Sequence, residues 1–222
     1  MTDDVLVQDA ARADLCRFLA ACFYEPGPEF AQEKLFDSLL EAARHVDQDL
    51  ARDAKRLGEA FAAERIDDLL VDYTRLFLGP TGALAMPYGS AWLGTEKTLM
   101  QDSTMAVLGL YEEGGFEIAD DFRELPDHIA AELEFLYLLL FRESQARHAG
   151  DSGGEAQAAG LRKRLLDEHL ARWAGPFADA VREGAQSDFY RELGTLANGF
   201  IAKEAVRARA QADRGRVIKQ PS

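Results

Sequence analysis

Residues Glu124 to Leu140 read E-L-P-D-H-I-A-A-E-L-E-F-L-Y-L-L-L, and this stretch decides the fold. We expect a helix to begin at Pro126, because a proline at the first helical position gives up no hydrogen bond. Acids and a histidine crowd the predicted first turn, where carboxylates interact favourably with the helix dipole. Residues Leu133 to Phe141 are apolar on nearly all sides, which predicts a helix buried in the middle of a domain and polar at its start.

Apolar residues recur at helical spacing along the rest of the chain. Further helices are predicted over 8–24, from Pro28, from Asp47, from about Asp67, from Thr95 to Tyr111, over 156–173, from Pro176 and from Ser187 or Asp188. No segment shows sustained two-residue alternation. The sequence therefore predicts an all-α fold, a single-domain helical bundle over residues 1–222 with about eight to ten helices.

Two segments outside these helices carry their own predictions. Residues 150–154 read G-D-S-G-G and are predicted to form a flexible link. The arginine-rich tail from about Lys203 is predicted to fray.

Charge excludes one class of partner. The 222 residues include 25 Lys and Arg against 39 Asp and Glu, a net charge of −14. An acidic surface repels phosphates, so we expect no nucleic acid partner, and it attracts basic ones. No run approaches the roughly 20 apolar residues that cross a bilayer, which predicts no membrane insertion. The acidic start, M-T-D-D-V-L-V-Q-D, does not resemble a secretory signal, and a cytoplasmic location is expected.

Common catalytic motifs are absent from the sequence. It contains neither the phosphate-binding G-x-x-x-x-G-K-[ST] nor the nucleophile elbow G-x-S-x-G. G-D-S-G-G resembles the sequence around a serine protease nucleophile, with Ser152 in the attacking position. That chemistry needs a histidine and an aspartate converging on the serine, whereas this segment joins two predicted helices. The sequence therefore lacks the usual marks of a nucleotide hydrolase or an esterase.

Metal binding is a second possibility for an acidic helical bundle. Di-iron bundles carry Glu-x-x-His on two helices, but the residues three positions before the four histidines are Ala42, Leu125, Gln145 and Leu166. His128 and Glu132 are four residues apart and could either hold a metal or form an ordinary helical pair. Cys16 and Cys22 lack metal-pair spacing and are expected to be buried. No metal or cofactor is predicted; the alternative is a metal-dependent enzyme centred on His128, Glu132 and His169.

The segment 79–94 is the one long irregular stretch before the predicted central helix. It reads G-P-T-G-A-L-A-M-P-Y-G-S-A-W-L-G and carries Met86, Tyr88 and Trp92 between glycines and prolines. Loops often carry binding residues, and aromatic side chains with a polar tip suit a peptide-binding surface. Covering of the core by the same aromatics is the other interpretation.

Three stretches together resemble the TorD/DmsD family of molybdoenzyme-maturation chaperones, relatives of NarJ. The first is Y-T-R-L-F-L-G-P, residues 73–80, followed by M-P-Y-G-S-A-W-L, residues 86–93. The second is E-L-P-D-H, residues 124–128, close to the family signature Glu-x-Pro-Asp-His. The third is L-L-D-E-H-L-A-R-W, residues 165–173, with F-Y-R-E-L, residues 189–193. With the helix order, the resemblance covers most of residues 10–202.

The resemblance implies a cytoplasmic, all-helical chaperone with no catalytic residues and no enzyme activity. Such a chaperone binds the twin-arginine leader of a partner oxidoreductase, and often its body, until the molybdopterin cofactor is inserted. The implied partners are the apo catalytic subunit and its leader, with molybdenum-cofactor biosynthesis proteins as further partners, and the implied state is a monomer or a helix-swapped dimer. The residues implied to line the leader-binding region are Tyr73, Leu76, Phe77, Pro87, Tyr88, Gly89, Ser90, Trp92, Glu124, Pro126, Asp127 and His128.

The chemistry of a leader peptide suits these residues. Its two arginines pair well with carboxylates, so we expect Glu124 and Asp127 to meet them. Its apolar stretch is expected to lie on Phe77, Tyr88 and Trp92. The chain has Met86-Pro87-Tyr88-Gly89-Ser90 where close relatives often have Pro-Pro-Trp-Gly-Ser, which bears on the identity of the client.

Overall fold

A computed structural model describes residues 3–79, 82–94, 102–118 and 122–217, and its regular elements are all helical. In chain order the helices are α1 (Asp3–Cys22), α2 (Glu29–Gln32), α3 (Leu35–Val46), α4 (Gln48–Ala63), α5 (Ile66–Tyr73), α6 (Ser90–Leu93), α7 (Asp102–Glu113), α8 (Ile129–Ala149), α9 (Ser152–Arg164), α10 (Ala171–Gly184) and α11 (Asp188–Val217). Two π-helical turns, Thr74–Leu78 and Leu165–Leu170, extend α5 and α9. The all-α prediction is confirmed.

Helix α8 lies at the centre of the bundle. It packs against α1 on one side and α9 on the other, while α11 packs against α10 and α4. Leu133 and Leu136 on α8 are fully buried, as predicted for this helix. Phe141 is 43% exposed, however, so the predicted all-round burial is wrong for one face of α8.

Several predicted helix starts have the expected caps. The carboxylate of Asp47 accepts hydrogen bonds from the backbone N–H groups of Asp49 and Leu50, at 2.8 and 3.2 Å, and caps α4. The Ser187 hydroxyl accepts from the N–H of Tyr190 at 3.3 Å, at the start of α11. Such caps satisfy N–H groups that have no partner within the helix. The predicted start at Thr95 lies outside the described residues.

Residues 150–154, predicted as a flexible link, form a two-residue turn at 150–151 followed by the first residues of α9. Gly150 ends α8 with φ of 72°, a left-handed conformation that glycine adopts without strain. The Asp151 carboxylate then accepts from the N–H groups of Gly153 and Gly154 at 3.1 and 3.0 Å. Ser152 is therefore already the first residue of α9.

The chain is continuously helical from Ser152 to Gly184, through α9, the π-helical turn and α10. The prediction of a new helix starting at Pro176 is wrong, because Pro176 lies inside α10. A proline inside a helix leaves the carbonyl four residues earlier without its N–H partner. Here that residue is Arg172, and both Arg172 and Pro176 are exposed, so water can reach the freed carbonyl.

The basic tail does not fray at Lys203, since α11 continues to Val217. Glu204 is fully buried and accepts two hydrogen bonds from Arg12 of α1, at 2.9 and 2.6 Å. Arg162 of α9, also buried, donates to Glu143 at 2.9 Å and to Gln211 at 2.6 Å. These polar contacts join α11 to the bundle, a role that sequence composition did not reveal.

Candidate functional site

The start of α8 is organised by His128 rather than by Pro126. Pro126 lies in a turn, and the expectation that it begins the helix is wrong. His128 is the N-cap: its Nδ1 accepts from the backbone N–H of Ala130 at 3.2 Å, and its N–H donates to the carbonyl of Leu125 at 3.0 Å. Because Nδ1 is committed to the helix end, it is not available as a metal ligand.

This helix start is paired with the loop before α6. Tyr88 and His128 form an isolated antiparallel β-bridge. The N–H of Gly89 donates to the carbonyl of Asp127, and the N–H of Ile129 donates to the carbonyl of Pro87, both at 2.8 Å. Two segments about forty residues apart in the sequence are thereby brought into one site.

Asp127 lies inside this site and not at its surface. Its side chain is fully buried, and Oδ2 accepts from the N–H of Ser90 at 2.7 Å and from the hydroxyl of Thr104 at 3.1 Å. Its carboxylate therefore joins the loop, α6 and α7 to the start of α8. Direct contact between Asp127 and an arginine of a leader peptide, which we expected, does not fit this geometry.

A second buried carboxylate, Glu132, holds the π-helical turn against α8. Its Oε2 lies 2.8 Å from Nδ1 of His169, and Oε1 accepts from the indole N–H of Trp173 at 3.2 Å. The other ring nitrogen of His169 lies 3.1 Å from the carbonyl of Ser103, which can only accept, so Nε2 carries a hydrogen.

The Glu132–His169 pair holds a proton tightly. Burial raises the pKa of Glu132, against the opposing effect of His169. Burial alone would lower the pKa of His169, but the charge of Glu132 and its hydrogen bond outweigh it, and the pKa of His169 is raised. Glu132 thus points to His169 and Trp173 rather than pairing with His128, so the two do not form the metal clamp considered above.

Gly89 lies directly on this buried pair. A Cβ atom at Gly89 would be 2.7 Å from Cε1 of His169, 3.0 Å from Nε1 of Trp173 and 3.2 Å from Oε1 of Glu132. Only a residue without a side chain allows such a close approach of the backbone. The glycine in the Met86–Ser90 motif is thus explained by packing.

The site also contains a tyrosine–carboxylate cluster made by Tyr24, Tyr73, Tyr88, Glu124 and Glu134, of which Tyr73 is buried and the other four are partly accessible. The hydroxyl of Tyr88 donates to Glu124 at 2.6 Å, and that of Tyr24 donates to Glu134 at 3.0 Å. Both carboxylates and the rings of Tyr24 and Tyr88 are half-buried.

His128 lies between two of these rings. The ring of Tyr24 stacks on the imidazole with centroids 6.0 Å apart, and the ring of Tyr88 meets it edge-on at 5.3 Å. Burial lowers the pKa of His128 to about 4, although the charges of Glu124 and Asp127 oppose this. Burial, with the charges of Glu124 and Glu25, raises the pKa of Tyr73 to about 12. His128 and the tyrosines are therefore neutral at pH 7.

Other predicted site residues belong to the core. Leu76 is fully buried and Phe77 is 4% exposed, with the ring of Phe77 packed edge-on against Phe23 at 6.2 Å. Trp92 is half-buried, and its indole N–H donates to the carbonyl of Met86 at 2.8 Å. The predicted apolar surface of Phe77, Tyr88 and Trp92 is therefore not formed, because Phe77 faces inward.

Sequence reasoning missed Tyr24, Glu134 and Trp173 at this site. Tyr24 follows the last turn of α1 in F-Y-E-P, where the chain leaves the helix before Pro26. That position, an aromatic with a polar tip at a helix end, was an available signal. Glu134 offered none beyond its place two residues after Glu132 in the central helix.

Comparisons with known proteins place this architecture in a family. The family model described as nitrate reductase delta subunit matches residues 43–179. The chain belongs to the nitrate reductase delta subunit family. The sequence-based assignment to the TorD/DmsD and NarJ relatives is thereby confirmed.

Two relatives of the chain are named as chaperones. The chain is 29% identical over 188 residues to the Tat proofreading chaperone DmsD of Salmonella typhi, covering 84% of this chain and 85% of the relative. It is 25% identical over 217 residues to the chaperone protein TorD of Vibrio cholerae serotype O1, covering 92% and 94%. These names support a chaperone and not an enzyme, as the sequence predicted.

A solved structure shares the fold. The crystal structure of a protein from Archaeoglobus fulgidus, described as a redox enzyme maturation protein, matches with a TM-score of 0.52 and 22% identity. The match covers 86% of this chain and 93% of the other.

Within the described ranges, no group of three or more His, Cys, Asp or Glu residues is arranged to hold a metal ion, and no helix is long and apolar enough to span a bilayer.

Proposed function

We propose that the protein is a cytoplasmic chaperone that binds the twin-arginine leader of a molybdopterin-containing oxidoreductase. It also holds the apo catalytic subunit until the cofactor is inserted, and it catalyses no reaction itself. Family membership supports this proposal, as do relatives named as Tat proofreading chaperones.

The tyrosine–carboxylate cluster is the observation that carries the proposal. Glu124 and Glu134 each accept one hydrogen bond from a tyrosine, and a carboxylate has further lone pairs that can accept from arginine. The flat rings of Tyr24 and Tyr88 beside them suit stacking by a guanidinium group. Two carboxylates and two rings match a peptide with two adjacent arginines.

The overall charge adds to this local match. A net charge of −14 attracts a basic peptide from a distance and raises its rate of encounter. Salt screens this attraction, so binding is expected to weaken as ionic strength rises.

Calorimetric titration with a synthetic peptide tests the proposal. The peptide carries two adjacent arginines followed by leucines and alanines, and a second peptide has lysines in place of the arginines. We expect the arginine peptide to bind more tightly, because arginine pairs bidentately with carboxylates. Glu124→Gln keeps an acceptor for Tyr88 but removes the charge, and is expected to weaken binding about tenfold.

Glu183→Gln, at an exposed glutamate of α10, is the matched control and is expected to leave binding unchanged. An unmodified protein that binds neither peptide at low salt would contradict the proposed function. Equal loss in both variants would show that the effect follows net charge and not the site.

A further inference from the structure

A groove lies between α8 and the segment that follows α7. Its volume is about 230 Å³, below the roughly 300–1,000 Å³ of sites that enclose small molecules. Its floor is apolar, and two acids, Glu117 and Glu134, are the charged residues among those lining it. The apolar residues of the lining are Tyr111, Phe116, Ile118, Phe122, Ala131, Phe135 and Leu138.

The groove has a buried floor, which includes Tyr111 and Phe135, and a more exposed apolar edge. Ile118 is 36% exposed, and Leu138 is half-buried. Beyond Leu138 the same face of α8 continues to Phe141, 43% exposed, whose ring stacks on Tyr137 with centroids 6.0 Å apart. Residues 134, 137, 138 and 141 share one helical face, so the groove and the stacked pair form a continuous apolar strip.

This strip begins at the tyrosine–carboxylate cluster. Glu134 lines the groove and also accepts the hydroxyl of Tyr24, whose ring stacks on His128. From residue 134 to residue 141 α8 rises about 10 Å, at about 1.5 Å per residue. An extended peptide of about three residues, at about 3.3 Å each, covers the same distance.

The order of chemistry along the strip matches the order along a leader peptide. The cluster offers carboxylates first, and the groove then offers apolar surface rimmed by acids, with no basic side chain among the described lining residues. A leader with two arginines followed by an apolar stretch presents the same two properties in the same order. Phe77, which we expected to contact the apolar stretch of the leader, is buried, so another apolar surface must bind that stretch.

We infer that the apolar stretch of the bound leader lies in the groove between α8 and the lining residues 116–118 and 122, continuing toward Phe141, while its arginines occupy the tyrosine–carboxylate cluster. This inference rests on the proposed function and adds the site and direction of the apolar part. Ile118 and Leu138 then act as specificity-determining residues for the hydrophobic part of the client.

The test combines variants of the protein with variants of the peptide. The peptides share two arginines, followed either by leucines and alanines or by serines and glycines. The protein variants are Ile118→Ser and Leu138→Ser, with Val206→Ser as control for an exposed valine outside the groove. Thermal unfolding of each variant shows whether it is folded, and the exposed Ile118 provides a readout even if Leu138→Ser fails to fold.

We expect Ile118→Ser and Leu138→Ser to weaken binding of the apolar peptide about tenfold and to leave binding of the polar peptide unchanged, because the lost contacts are with apolar side chains. Glu124→Gln is expected to weaken binding of both peptides. Groove variants that bind the apolar peptide as tightly as the unmodified protein does would overturn the inference and leave the proposed function standing. Failure of the unmodified protein to bind either peptide would overturn both.

Discussion

The backbone of Gly89 approaches His169 so closely that a Cβ atom at position 89 would lie 2.7 Å from Cε1 of the imidazole. His169 in turn is fixed by Glu132 and by the carbonyl of Ser103. The surface loop that carries Tyr88 is therefore seated on a buried, proton-holding pair. The position of the tyrosine–carboxylate cluster depends on residues that no peptide can touch.

Replacing Gly89 with alanine is expected to destabilise the protein. The added methyl group meets atoms of three buried side chains, His169, Trp173 and Glu132, and overpacking of this kind costs about 1–3 kcal/mol. Urea denaturation measures the free energy of unfolding. Gly109→Ala is the matched control, because a Cβ there meets nothing within 4 Å and Gly109 lies inside α7; it is expected to stabilise by about 0.5–1 kcal/mol. Equal stability of Gly89→Ala and the unmodified protein would contradict the packing described.

His128 is expected to make the stability depend on pH. Burial lowers its pKa to about 4 from the ordinary 6.5, so between these values the unfolded chain takes up a proton that the folded protein does not. The neutral, buried His128 therefore contributes to the free energy of unfolding in full above pH 6.5, and this contribution is lost as the pH falls toward 4. A pKa difference of this size corresponds to about 3 kcal/mol.

His128→Asn separates this titration from the helix cap, because asparagine also caps helices but does not titrate. We expect the unmodified protein to lose about 3 kcal/mol relative to His128→Asn between pH 7 and pH 4, measured by chemical denaturation at each pH. Parallel stability curves for the two proteins would show that His128 is not buried as described.

Asp127→Ala is expected to impair folding as well as binding. The substitution removes a buried acceptor from the N–H of Ser90 and the hydroxyl of Thr104, which is expected to cost about 2–4 kcal/mol of unfolding free energy. Denaturation and peptide titration on the same sample measure both effects. Glu124→Gln, at a half-buried position, should keep its stability while its peptide binding weakens. An Asp127→Ala protein of normal stability that no longer binds would restore Asp127 as a direct contact.

Loss of Glu204 is expected to detach the last helix. Removing one partner of a buried ion pair leaves the other charge unpaired, at a cost of about 3–5 kcal/mol, so Glu204→Ala should be strongly destabilised. Glu192→Ala provides the comparison, because Glu192 pairs with the exposed Arg56, and such pairs contribute at most about 1 kcal/mol. Similar thermal unfolding of both variants would mean that the end of α11 frays as the sequence suggested.

Local signals in the sequence predicted the helices well. Apolar spacing located the helical segments, and the caps at Asp47 and Ser187 were found because a cap involves residues two or three positions apart. The starts at Pro126 and Pro176 were wrong for a shared reason. A proline permits a helix to start but does not require it. The N–H of Ile129 pairs with the carbonyl of Pro87, and α8 begins at Ile129 rather than at Pro126. The π-helical turn leads directly into α10, so the chain is already helical when it reaches Pro176.

The sequence identified the segments that form the candidate site, but it did not predict which of their side chains are buried or which contact one another. In the structure, backbone hydrogen bonds join residues 87–90 to residues 127–129, two of the segments that the motifs singled out. They could not show that Asp127 faces inward or that Phe77 belongs to the core, because burial depends on contacts between residues far apart in the sequence. Tyr24 and Glu134 were missed for the same reason, since their hydrogen bond spans 110 positions.

The π-helical turn at Leu165–Leu170 restricts changes in chain length as well as changes in residue type. Each residue of an α-helix rotates the chain by about 100°, and a π turn holds one residue more than an α turn. Removing a residue here would rotate α9 against α10, so that either Arg162 would leave its buried position or His169 and Trp173 would leave Glu132. Insertions and deletions during the divergence of this family are therefore expected in the loops, and not between Arg162 and Trp173.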